Sequence, residues 1–313
     1  MNTKTSRPWL SIVMPVHQPN QWLDDALASI EDDGRDGGIE VIIRDSTPEF
    51  PAGAVFVRQH RDRLNIDYAH MPHIASWTRK TNMGVEESRG HHVCTLHQDD
   101  LWLPERVATT RDMIASAQDA ALYLTPARLI DNASRDLGGW RPPFKQGQVP
   151  QAAFRDMLLV QNSIAMPAPV FKRDAYLAAG GLDESLWYTP DWELWLKLGD
   201  QGPVVFDPRP TSAFRIHGGA QTMTRSRSEF AEQLGIVLDR HLVEDGPTAR
   251  ISRASVAINT ALAEAAAGDS KAKWRALGNF AKLGPVDAVR YLKYSRLVER
   301  LWPRLRLRFA GGL

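Results

Sequence analysis

The chain has 313 residues, of which 43% are apolar and 24% charged, a balance typical of globular domains that argues against a disordered or fibrous protein. Its 38 basic and 37 acidic residues nearly cancel, so no overall positive field predicts binding to nucleic acid. The one cysteine, Cys94, excludes an internal disulfide and a zinc site built from several cysteines. No apolar run reaches the length that crosses a bilayer, and Met1–Pro8 lacks the apolar stretch of a signal peptide, so we expect a cytoplasmic protein.

Short apolar strands alternate with helical patterns over the first 125 residues. The predicted strands are Leu10–Met14, which Pro15 ends, Ile39–Ile43, a weaker one at Ala54–Val57, His91–Leu96 and Ala121–Leu124. The predicted helices follow Asn20 as a cap, cover Thr81–Ser88, and run from Pro104 to about Ser116. This alternation predicts an α/β, Rossmann-like fold with a mostly parallel central sheet and helices on both faces.

The second half of the chain has a different pattern. Asp136–Pro150 is rich in glycine and proline and predicts a long loop, and Asp191–Leu198 predicts a helix. The small polar residues of Gly218–Ser228 predict a mobile segment. From about Glu229 the pattern is almost wholly helical, so we expect a helical C-terminal extension after the α/β part.

Two adjacent carboxylates, Asp99 and Asp100, directly follow a predicted strand. Ligands of open parallel sheets bind beyond the carboxyl ends of the strands. Carboxylates at that edge suit Mg²⁺ or Mn²⁺, which commonly bridge to the phosphates of a substrate. The alternative interpretation is an ordinary turn in which an aspartate caps the helix that begins near Pro104. The spacing alone leaves both interpretations open.

Carboxylates and one histidine also lie near aromatic or glycine-rich segments in the second half. Asp183 and Asp191 each lie near tryptophans, a setting that suits sugars, since a carboxylate can accept the proton of a hydroxyl. They could equally be turn and helix-start residues favoured by the helix dipole, with Trp192 and Trp195 in the core. His217 precedes two glycines and could complete a metal shell or be an ordinary surface histidine.

In their shared order, these segments resemble the family-2 glycosyltransferases, which are inverting enzymes of the nucleotide-diphospho-sugar transferase (GT-A) fold. The segments that carry the resemblance are Ser11–His17, Val41–Thr47, Asn82–Gly84, Arg89–Gly90, Leu96–Asp100, Gly180–Glu184, Asp191–Trp195 and Arg215–His217. Leu96–Asp100 resembles the metal-binding Asp-x-Asp motif, and Arg215–His217 resembles the closing Arg-x-His. The resemblance implies a catalytic domain at 1–228, with a nucleotide-binding half at 9–125 and an acceptor half at 126–228, before the extension at 229–313.

The resemblance also implies an activity and a set of site residues. It implies metal-dependent, inverting transfer of a sugar from a nucleotide-diphospho-sugar to a hydroxyl of a glycan or lipid-linked acceptor. The implied nucleotide-binding residues are Pro15, Val16, His17, Asp45, Asn82, His97 and Asp99. The implied sugar and acceptor residues are Asp100, Gly181, Asp183 and Trp187. Asp99 would hold Mn²⁺ or Mg²⁺ with His217 as a further ligand, and Asp191 would be the general base. Because Asp191 begins a predicted helix, we expect it to be ionised and only weakly basic.

Two residues depart from the family pattern. His97 stands where the metal motif usually begins with an aspartate, and Arg44 replaces an acidic residue that normally faces the nucleotide. Uridine is the favoured base, with thymidine and guanosine as alternatives. A non-catalytic protein that binds a sugar nucleotide or serves as a scaffold, tethered through its C-terminus, remains an alternative function. A sugar nucleotidyltransferase fits less well, because no glycine-rich, basic loop lies near residue 15.

The C-terminal segment 271–313 is basic. It carries eleven lysines and arginines against Asp287 and Glu299, a local charge of +9, which leaves −8 for the rest of the chain. Its basic residues interleave with apolar ones, so the segment could bind peripherally to the anionic inner face of the cell membrane. Alternatively, the segment packs on the acidic body of its own chain or on a partner helix. The sequence predicts no oligomeric state.

Overall fold

The computed structural model describes residues 7–218, 227–243 and 246–309. The strands are β1 (Leu10–Val16), β2 (Ile39–Asp45), β3 (Asn65–His70), β4 (His92–Thr95), β5 (Leu101–Trp102), β6 (Leu122–Leu124), β7 (Ala127–Ile130), β8 (Asp136–Trp140), β9 (Gly147–Val149), β10 (Val170–Lys172), β11 (Val204–Phe206) and β12 (Ser212–Arg215). The helices are α1 (Gln21–Ala28), α2 (Gly53–His60), α3 (Trp77–Glu87), α4 (Arg106–Ser116), α5 (Gln151–Val160), α6 (Arg173–Ala178), α7 (Pro190–Gln201), α8 (Arg227–His241), α9 (Pro247–Ala266), α10 (Ala272–Ala281), α11 (Gly284–Ser295) and α12 (Leu297–Phe309), with a 3₁₀ turn at Arg35–Gly37. Most of the segment predicted to be mobile, Gly218–Ser228, lies outside the described residues.

The central sheet has eight strands in the order β3-β2-β1-β4-β10-β6-β11-β9. Strands β1 to β4 are parallel to one another, whereas β10 runs antiparallel between β4 and β6. The predicted α/β fold, with a mostly parallel central sheet, helices on both faces and a helical C-terminus, is therefore confirmed. In the parallel register Val16 lies opposite Asp45 and Val13 opposite Thr95, so the segments that follow β1, β2 and β4 meet at one edge of the sheet.

A second sheet of four strands, in the order β5-β12-β7-β8, lies beside this edge. It includes Asp136–Trp140, which pairs with β7, and Gly147–Val149 pairs with β11 in the central sheet. The predicted long loop at Asp136–Pro150 is therefore wrong. These strands form through their partners, because glycine-rich segments have little strand propensity of their own.

Three local predictions in the first half differ from the structure. Ala54–Val57 lies inside helix α2, where the amide of Gly53 donates to Asp45 at the start of the helix. The missed strand β3 is a partly exposed edge strand whose polar sequence gives no apolar run. Strand β1 continues through Pro15 to Val16, because the fixed φ of proline is compatible with an extended strand.

Helix α3 lies unusually close to strand β1. A Cβ at Gly84 would come within 2.5 Å of Val13 Cγ1, so only glycine allows this distance between helix and sheet. The helix begins one turn earlier than predicted, at Trp77, because the Ser76 side chain caps it by accepting from the Arg79 amide. Close contact with β1 places α3 directly behind the edge of the sheet where the strand ends meet.

The core fills both faces of the central sheet. Trp192 and Trp195 are buried on the side that contains α5 and α7, so the interpretation of these tryptophans as core residues is correct. Cys94 is also fully buried, as the sequence predicts for a small strand residue. A separate apolar cluster joins α9, α10 and α11 to the end of α5 through Val160. None of the described helices is long and apolar enough to cross a membrane.

Candidate active site

Three potential metal ligands meet at the carboxyl end of β4. One ligand atom from each of His97, Asp99 and Asp100 lies within 4.8 Å of the others, and we call these residues the His97 cluster. The turn after β4 brings them together, since the amide of Asp100 donates to the carbonyl of His97. The ring of Trp77, in α3, contacts the His97 ring edge-on with centroids 5.3 Å apart.

Strand β12 brings His217 to the same cluster. The Nε2 atom of His217 lies 2.9 Å from Oδ2 of Asp99. Arg215, at the end of β12, donates its backbone amide to Asp100 Oδ1 (3.0 Å) and its Nε to the Asp99 carbonyl (2.8 Å). Trp22 packs against the His217 ring, with centroids 4.7 Å apart. The structure thus joins Leu96–Asp100 and Arg215–His217, which are more than 110 residues apart in sequence.

Two buried polar atoms of the His97 cluster have no hydrogen-bond partner among the described residues, namely His97 Nε2 and Asp100 Oδ2. Burial, followed by the charge of Asp99, raises the pKa of the Asp100 carboxyl well above its usual value. Burial also lowers the pKa of His97, which favours the neutral imidazole. A site with unpartnered carboxylate and neutral imidazole atoms fits a divalent cation, which would supply the missing partners.

The Asp99 carboxylate has a different balance of forces. Burial alone would raise its pKa, but the hydrogen bond and charge of His217, together with the nearby His97, lower it. Asp99 is therefore the ionised carboxylate of the cluster, and one of its oxygens faces His217.

At the end of β1, the Gln98 side chain holds the backbone of His17. The Gln98 side chain accepts from the His17 amide at 2.8 Å and donates to the His17 carbonyl at 3.1 Å. This pair ties the end of β1 to the turn after β4. The His17 ring lies with its Nδ1 3.1 Å from the Ser46 carbonyl, and Ser46 follows β2. The ends of three parallel strands are thereby joined around His17.

Lys80, in helix α3, is buried behind this edge. Its ammonium donates to the Val16 carbonyl at 2.6 Å and to Ser46 Oγ at 2.7 Å. Burial lowers the pKa of Lys80 to about 8, although the charge of Asp45 acts in the opposite direction. The sequence around Lys80 does not reveal this role, because the side chain reaches the sheet edge only through the close packing of α3 on β1.

Asp45 is fully buried and bonded within the protein. Its two carboxylate oxygens accept four hydrogen bonds, from the amide and hydroxyl of Thr47, the amide of Gly53 and the hydroxyl of Tyr68. Burial would raise the pKa of Asp45, but these bonds lower it below its usual value. The carboxylate orders the loop after β2, and all of its ordinary acceptor positions are used by the protein.

Arg44 points away from the loop after β2. Its guanidinium is almost fully buried and pairs with Glu87 and with Asp67, at 2.9 Å for the latter. Because successive strand residues face opposite sides of a sheet, Asp45 faces the loop after β2 while Arg44 faces α3 and β3. The departure from the family pattern at Arg44 is therefore a structural ion pair.

The residues predicted for the acceptor side form a second group. Asn82, in α3, donates to the Leu182 carbonyl and accepts from the Leu182 amide, both at 2.9 Å, so it holds the glycine turn at Gly181. Asp183 accepts from Ser185 and from Arg240 of α8 at 2.6 Å. Trp187 packs on Tyr188, with ring centroids 3.5 Å apart. Asn82 thus contacts the loop that contains Gly181 and Leu182, whereas the family resemblance assigned it to the nucleotide.

Asp191 lies in the first turn of α7, and its side chain is half-buried. Its Oδ2 accepts a hydrogen bond of 2.9 Å from the Asn162 side chain, in the loop after α5. Burial raises the pKa of Asp191 to about 6, against the lowering effect of the Trp192 amide and Asn162. The expectation that Asp191 is only weakly basic is therefore wrong, because desolvation outweighs the helix N-terminus.

Comparison with known proteins identifies the family of the chain that carries this site. Residues 11–236 match the family model described as glycosyltransferase-like family 2, which is more than two thirds of the chain. The chain belongs to this family. It is therefore a glycosyltransferase, as the motif order predicted, and the match covers both the His97 cluster and the segment of Asp191.

Two relatives of this glycosyltransferase are themselves described as uncharacterized glycosyltransferases. One, from Rickettsia typhi, is 22% identical over 238 residues, or 74% of this chain and 71% of the relative. The other, from Methanocaldococcus jannaschii, is 22% identical over 194 residues, or 61% of this chain and 64% of the relative. These relatives support the family and leave the donor and acceptor undefined.

Several solved glycosyltransferases share the fold. TarS of Staphylococcus aureus, residues 1–349, is 14% identical and superposes with a TM-score of 0.61 over 97% of this chain and 92% of that one. The same fragment in complex with UDP-GlcNAc gives a TM-score of 0.60. The mannosyltransferase PcManGT of Pyrobaculum calidifontis, in complex with GDP-Man and Mn²⁺, is 17% identical, with a TM-score of 0.54 over 95% of this chain and 88% of that one. This chain covers only 54% of a longer TarS chain, and at such identities the likeness concerns the fold alone.

Proposed function

We propose that this glycosyltransferase moves a sugar from a nucleotide-diphospho-sugar to a hydroxyl of a glycan or lipid-linked acceptor, with inversion at the anomeric carbon. The observation that carries the proposal is the His97 cluster, with its two unpartnered buried atoms, at the edge of the sheet where β1, β2 and β4 end. Ligands of open α/β sheets bind at this edge. Two structural neighbours were solved with UDP-GlcNAc or with GDP-Man and Mn²⁺, which supports a nucleotide-sugar donor.

In this proposal Asp99 holds a divalent cation, Mn²⁺ or Mg²⁺, with His217, His97 and Asp100 as the neighbouring ligand atoms. When bound, the cation neutralises the charge that develops on the leaving diphosphate. Pro15, Val16 and His17 line the nucleotide base, and Asp45 acts there through the loop it orders. Uridine remains the favoured base. Asp183, Gly181 and Trp187 lie on the acceptor side.

Asp191 is the proposed general base. As the acceptor oxygen forms its bond to the anomeric carbon, the bond between that carbon and the diphosphate oxygen breaks, and the hydroxyl proton passes to the Asp191 carboxylate. Attack from the face opposite the leaving group inverts the anomeric configuration. A pKa of about 6 makes Asp191 a stronger base than an exposed aspartate while keeping it mostly ionised at neutral pH.

Calorimetric titration with UDP, dTDP, GDP and CMP, each with and without Mn²⁺, tests the donor site directly. We expect one nucleoside diphosphate to bind with micromolar affinity only when the metal is present. The titration with metal and the chelated control use the same protein, so a difference in folding cannot produce the result. If none of the nucleotides binds in either condition, the alternative of a non-catalytic scaffold replaces the proposed enzyme.

The raised pKa of Asp191 predicts a specific pH dependence. The base is competent only when deprotonated, so the rate should fall as the pH drops through about 6, by about ten-fold per pH unit well below that value. The measurement is the release of nucleoside diphosphate from the donor that binds in the titration, between pH 4.5 and 8. Donor binding measured at each pH separates this acid limb from loss of the metal site, and an acid limb centred near pH 4 would contradict the prediction.

We also propose that the extension contacts an anionic membrane surface, which would bring the enzyme to a lipid-linked acceptor. Of the eleven large apolar side chains that are exposed in the described structure, seven lie between residues 274 and 302. They are Trp274, Leu277, Val286, Val289, Leu292, Val298 and Trp302. The opposite faces of α10 and α11 pack on the body through Ala276 and Tyr291, so each helix is apolar on both its inner and its outer side.

Basic side chains accompany these exposed apolar residues, including Lys271, Lys273, Arg290 and Lys293. Exposed tryptophan beside lysine and arginine is the composition that favours the interface of an anionic bilayer. Membrane contact and packing on the body of the chain are thus compatible, because the outer faces of α10 and α11 would contact the membrane while their inner faces pack on the body.

Sedimentation with vesicles tests the membrane contact. The double variant Trp274→Ser/Trp302→Ser should bind vesicles containing anionic phosphatidylglycerol at least about ten-fold more weakly, because two large apolar side chains no longer enter the interface. The matched control is Val55→Ser/Leu177→Ser, which removes exposed apolar side chains elsewhere. Equal binding by all three proteins, or equal binding to neutral phosphatidylcholine, would exclude this surface as the contact. A dimer in light scattering that the tryptophan variant disrupts would assign the surface to a second copy instead.

A further inference from the structure

A series of four hydrogen bonds links the C-terminal extension to Asp191 through the backbone and the side chain of Asn162. Arg300 of α12 donates to Asn259 Oδ1 at 2.8 Å, and Asn259 of α9 donates to Gln161 Oε1 at 2.8 Å. Gln161 donates to the Asn162 carbonyl at 3.2 Å, and Asn162 donates to Asp191 Oδ2 at 2.9 Å. The bonds join parts of the chain that are almost 100 residues apart in sequence.

All four bonds run in the same direction. Each donor points from the extension toward Asp191, so a guanidinium stands at one end of the series and a carboxylate at the other. At Asn162 the bond from Gln161 ends on the main-chain carbonyl, whereas the bond to Asp191 starts from the side-chain amide. The first three bonds can therefore act on Asp191 by fixing the position of the loop at 161–162. The amide orientation of Asn162 is fixed as well, because its Oδ1 accepts from the Ile164 amide at 3.1 Å and leaves only its NH₂ group to face Asp191.

Apolar packing holds the frame that carries these bonds. Val160, the last residue of α5, is buried in the same cluster as Ile251 and Ile258 of α9. On the other side of α5, the Trp192 indole donates to the Leu158 carbonyl at 2.7 Å. The loop at 161–162 thus lies between a helix of the extension and the helix that carries Asp191.

We propose that the extension positions the catalytic base, with Asn162 orienting the Asp191 carboxylate and with Gln161, Asn259 and Arg300 fixing Asn162. This inference rests on the proposed role of Asp191 as the base. Its consequence is that the extension is part of the catalytic unit, even where it touches no substrate. A carboxylate that abstracts a proton late in bond formation must face the acceptor hydroxyl in one orientation, and small errors in such alignment lower the rate.

The test compares Asn259→Ala, Asn162→Ala and the control Asn279→Ala, which makes the same change in the neighbouring helix α10. One readout is the titration of the Asp191 carboxyl by ¹³C NMR, which needs no substrate. Loss of the Asn162 donor should raise the pKa of Asp191 above that of the unchanged protein, and Asn259→Ala should raise it by less.

The second readout is the release of nucleoside diphosphate from UDP-GlcNAc or GDP-mannose, with water as the acceptor. For Asn259→Ala we expect kcat to fall about three- to ten-fold while KM for the donor stays unchanged, the effect of one lost positioning bond. A general loss of stability would lower the thermal midpoint and donor binding together, which the control and calorimetry detect.

Each outcome decides the inference. If Asn259→Ala matches Asn279→Ala in both the Asp191 titration and kcat, the extension does not position the base, and the proposed function is unaffected. If Asp191→Asn keeps its activity, the role of Asp191 as the base is wrong, and the inference is overturned with it. A shift in the Asp191 titration and a fall in kcat for Asn259→Ala, without a change in KM, support the inference.

Discussion

Replacing Asp191 by asparagine should lower sugar transfer by about 10²- to 10⁴-fold, the range that a general base contributes, while leaving donor binding intact. The amide is nearly the same size as the carboxylate but cannot accept the acceptor proton. The Asn162 side chain, which donates to Asp191 Oδ2, can still donate to the amide oxygen of the new residue. The local structure should therefore survive, and the loss should fall on kcat rather than on KM.

The matched control is Asp200→Asn, which makes the same change near the other end of α7, where the carboxylate pairs with Arg155 at 3.4 Å. It should keep nearly full activity. Rates are measured by release of nucleoside diphosphate, and donor affinity by calorimetry in Mn²⁺. Transfer by Asp191→Asn at a near-normal rate would show that another group takes the proton.

Asp99→Ala should weaken metal-dependent binding of nucleoside diphosphate by at least about 100-fold, since even outer-shell partners of a metal site contribute 10- to 100-fold. Asp99 is the ionised carboxylate of the His97 cluster, and its removal leaves the neutral imidazole of His97 and a carboxyl, Asp100, whose pKa burial raises. The expected signature is that adding Mn²⁺ no longer improves the affinity of the variant for the nucleotide.

Asp174→Ala is the control for this substitution, because its carboxylate is on the surface of α6 and almost fully exposed. Calorimetry of both variants, with Mn²⁺ and with a chelator, gives the four affinities that the comparison needs. If the Asp99→Ala protein still binds its nucleotide more tightly with Mn²⁺, residues other than Asp99 hold the metal.

The order of the motifs was enough to predict the family and the sheet, because both depend on patterns that are local in sequence. Short apolar runs that end at turn residues, such as Leu10–Met14, favour buried strands, and the polar residues that directly follow them lie at the strand ends. The same reasoning failed at Asp136–Trp140 and Ala54–Val57. There, pairing with β7 and a helix start at Gly53 outweigh local propensity, and neither partner is visible from the segment itself.

For the site residues too, the motifs predicted which residues come together but not their surroundings. Asp99 and His217 were paired from their motifs alone, whereas the environments of individual groups could not be predicted. The sequence shows Arg44 only as a departure from the family pattern, whereas the structure shows that Glu87 and Asp67 neutralise its charge. The basicity of Asp191 depends on how much water surrounds it, which a sequence does not record.

Helix α3 connects the edge of the central sheet to the turn at Gly181. Lys80 and Asn82 are two residues apart, so they project about 200° from each other around the helix axis, one toward the ends of β1 and β2 and the other toward the turn at Gly181. The helix thus fixes where Lys80 and Asn82 lie relative to each other, and the close contact of Gly84 with Val13 fixes where both lie relative to the sheet. A larger side chain at Gly84 would displace Lys80 and Asn82 together, so the two residues would keep their mutual distance while losing their alignment with the His97 cluster after β4.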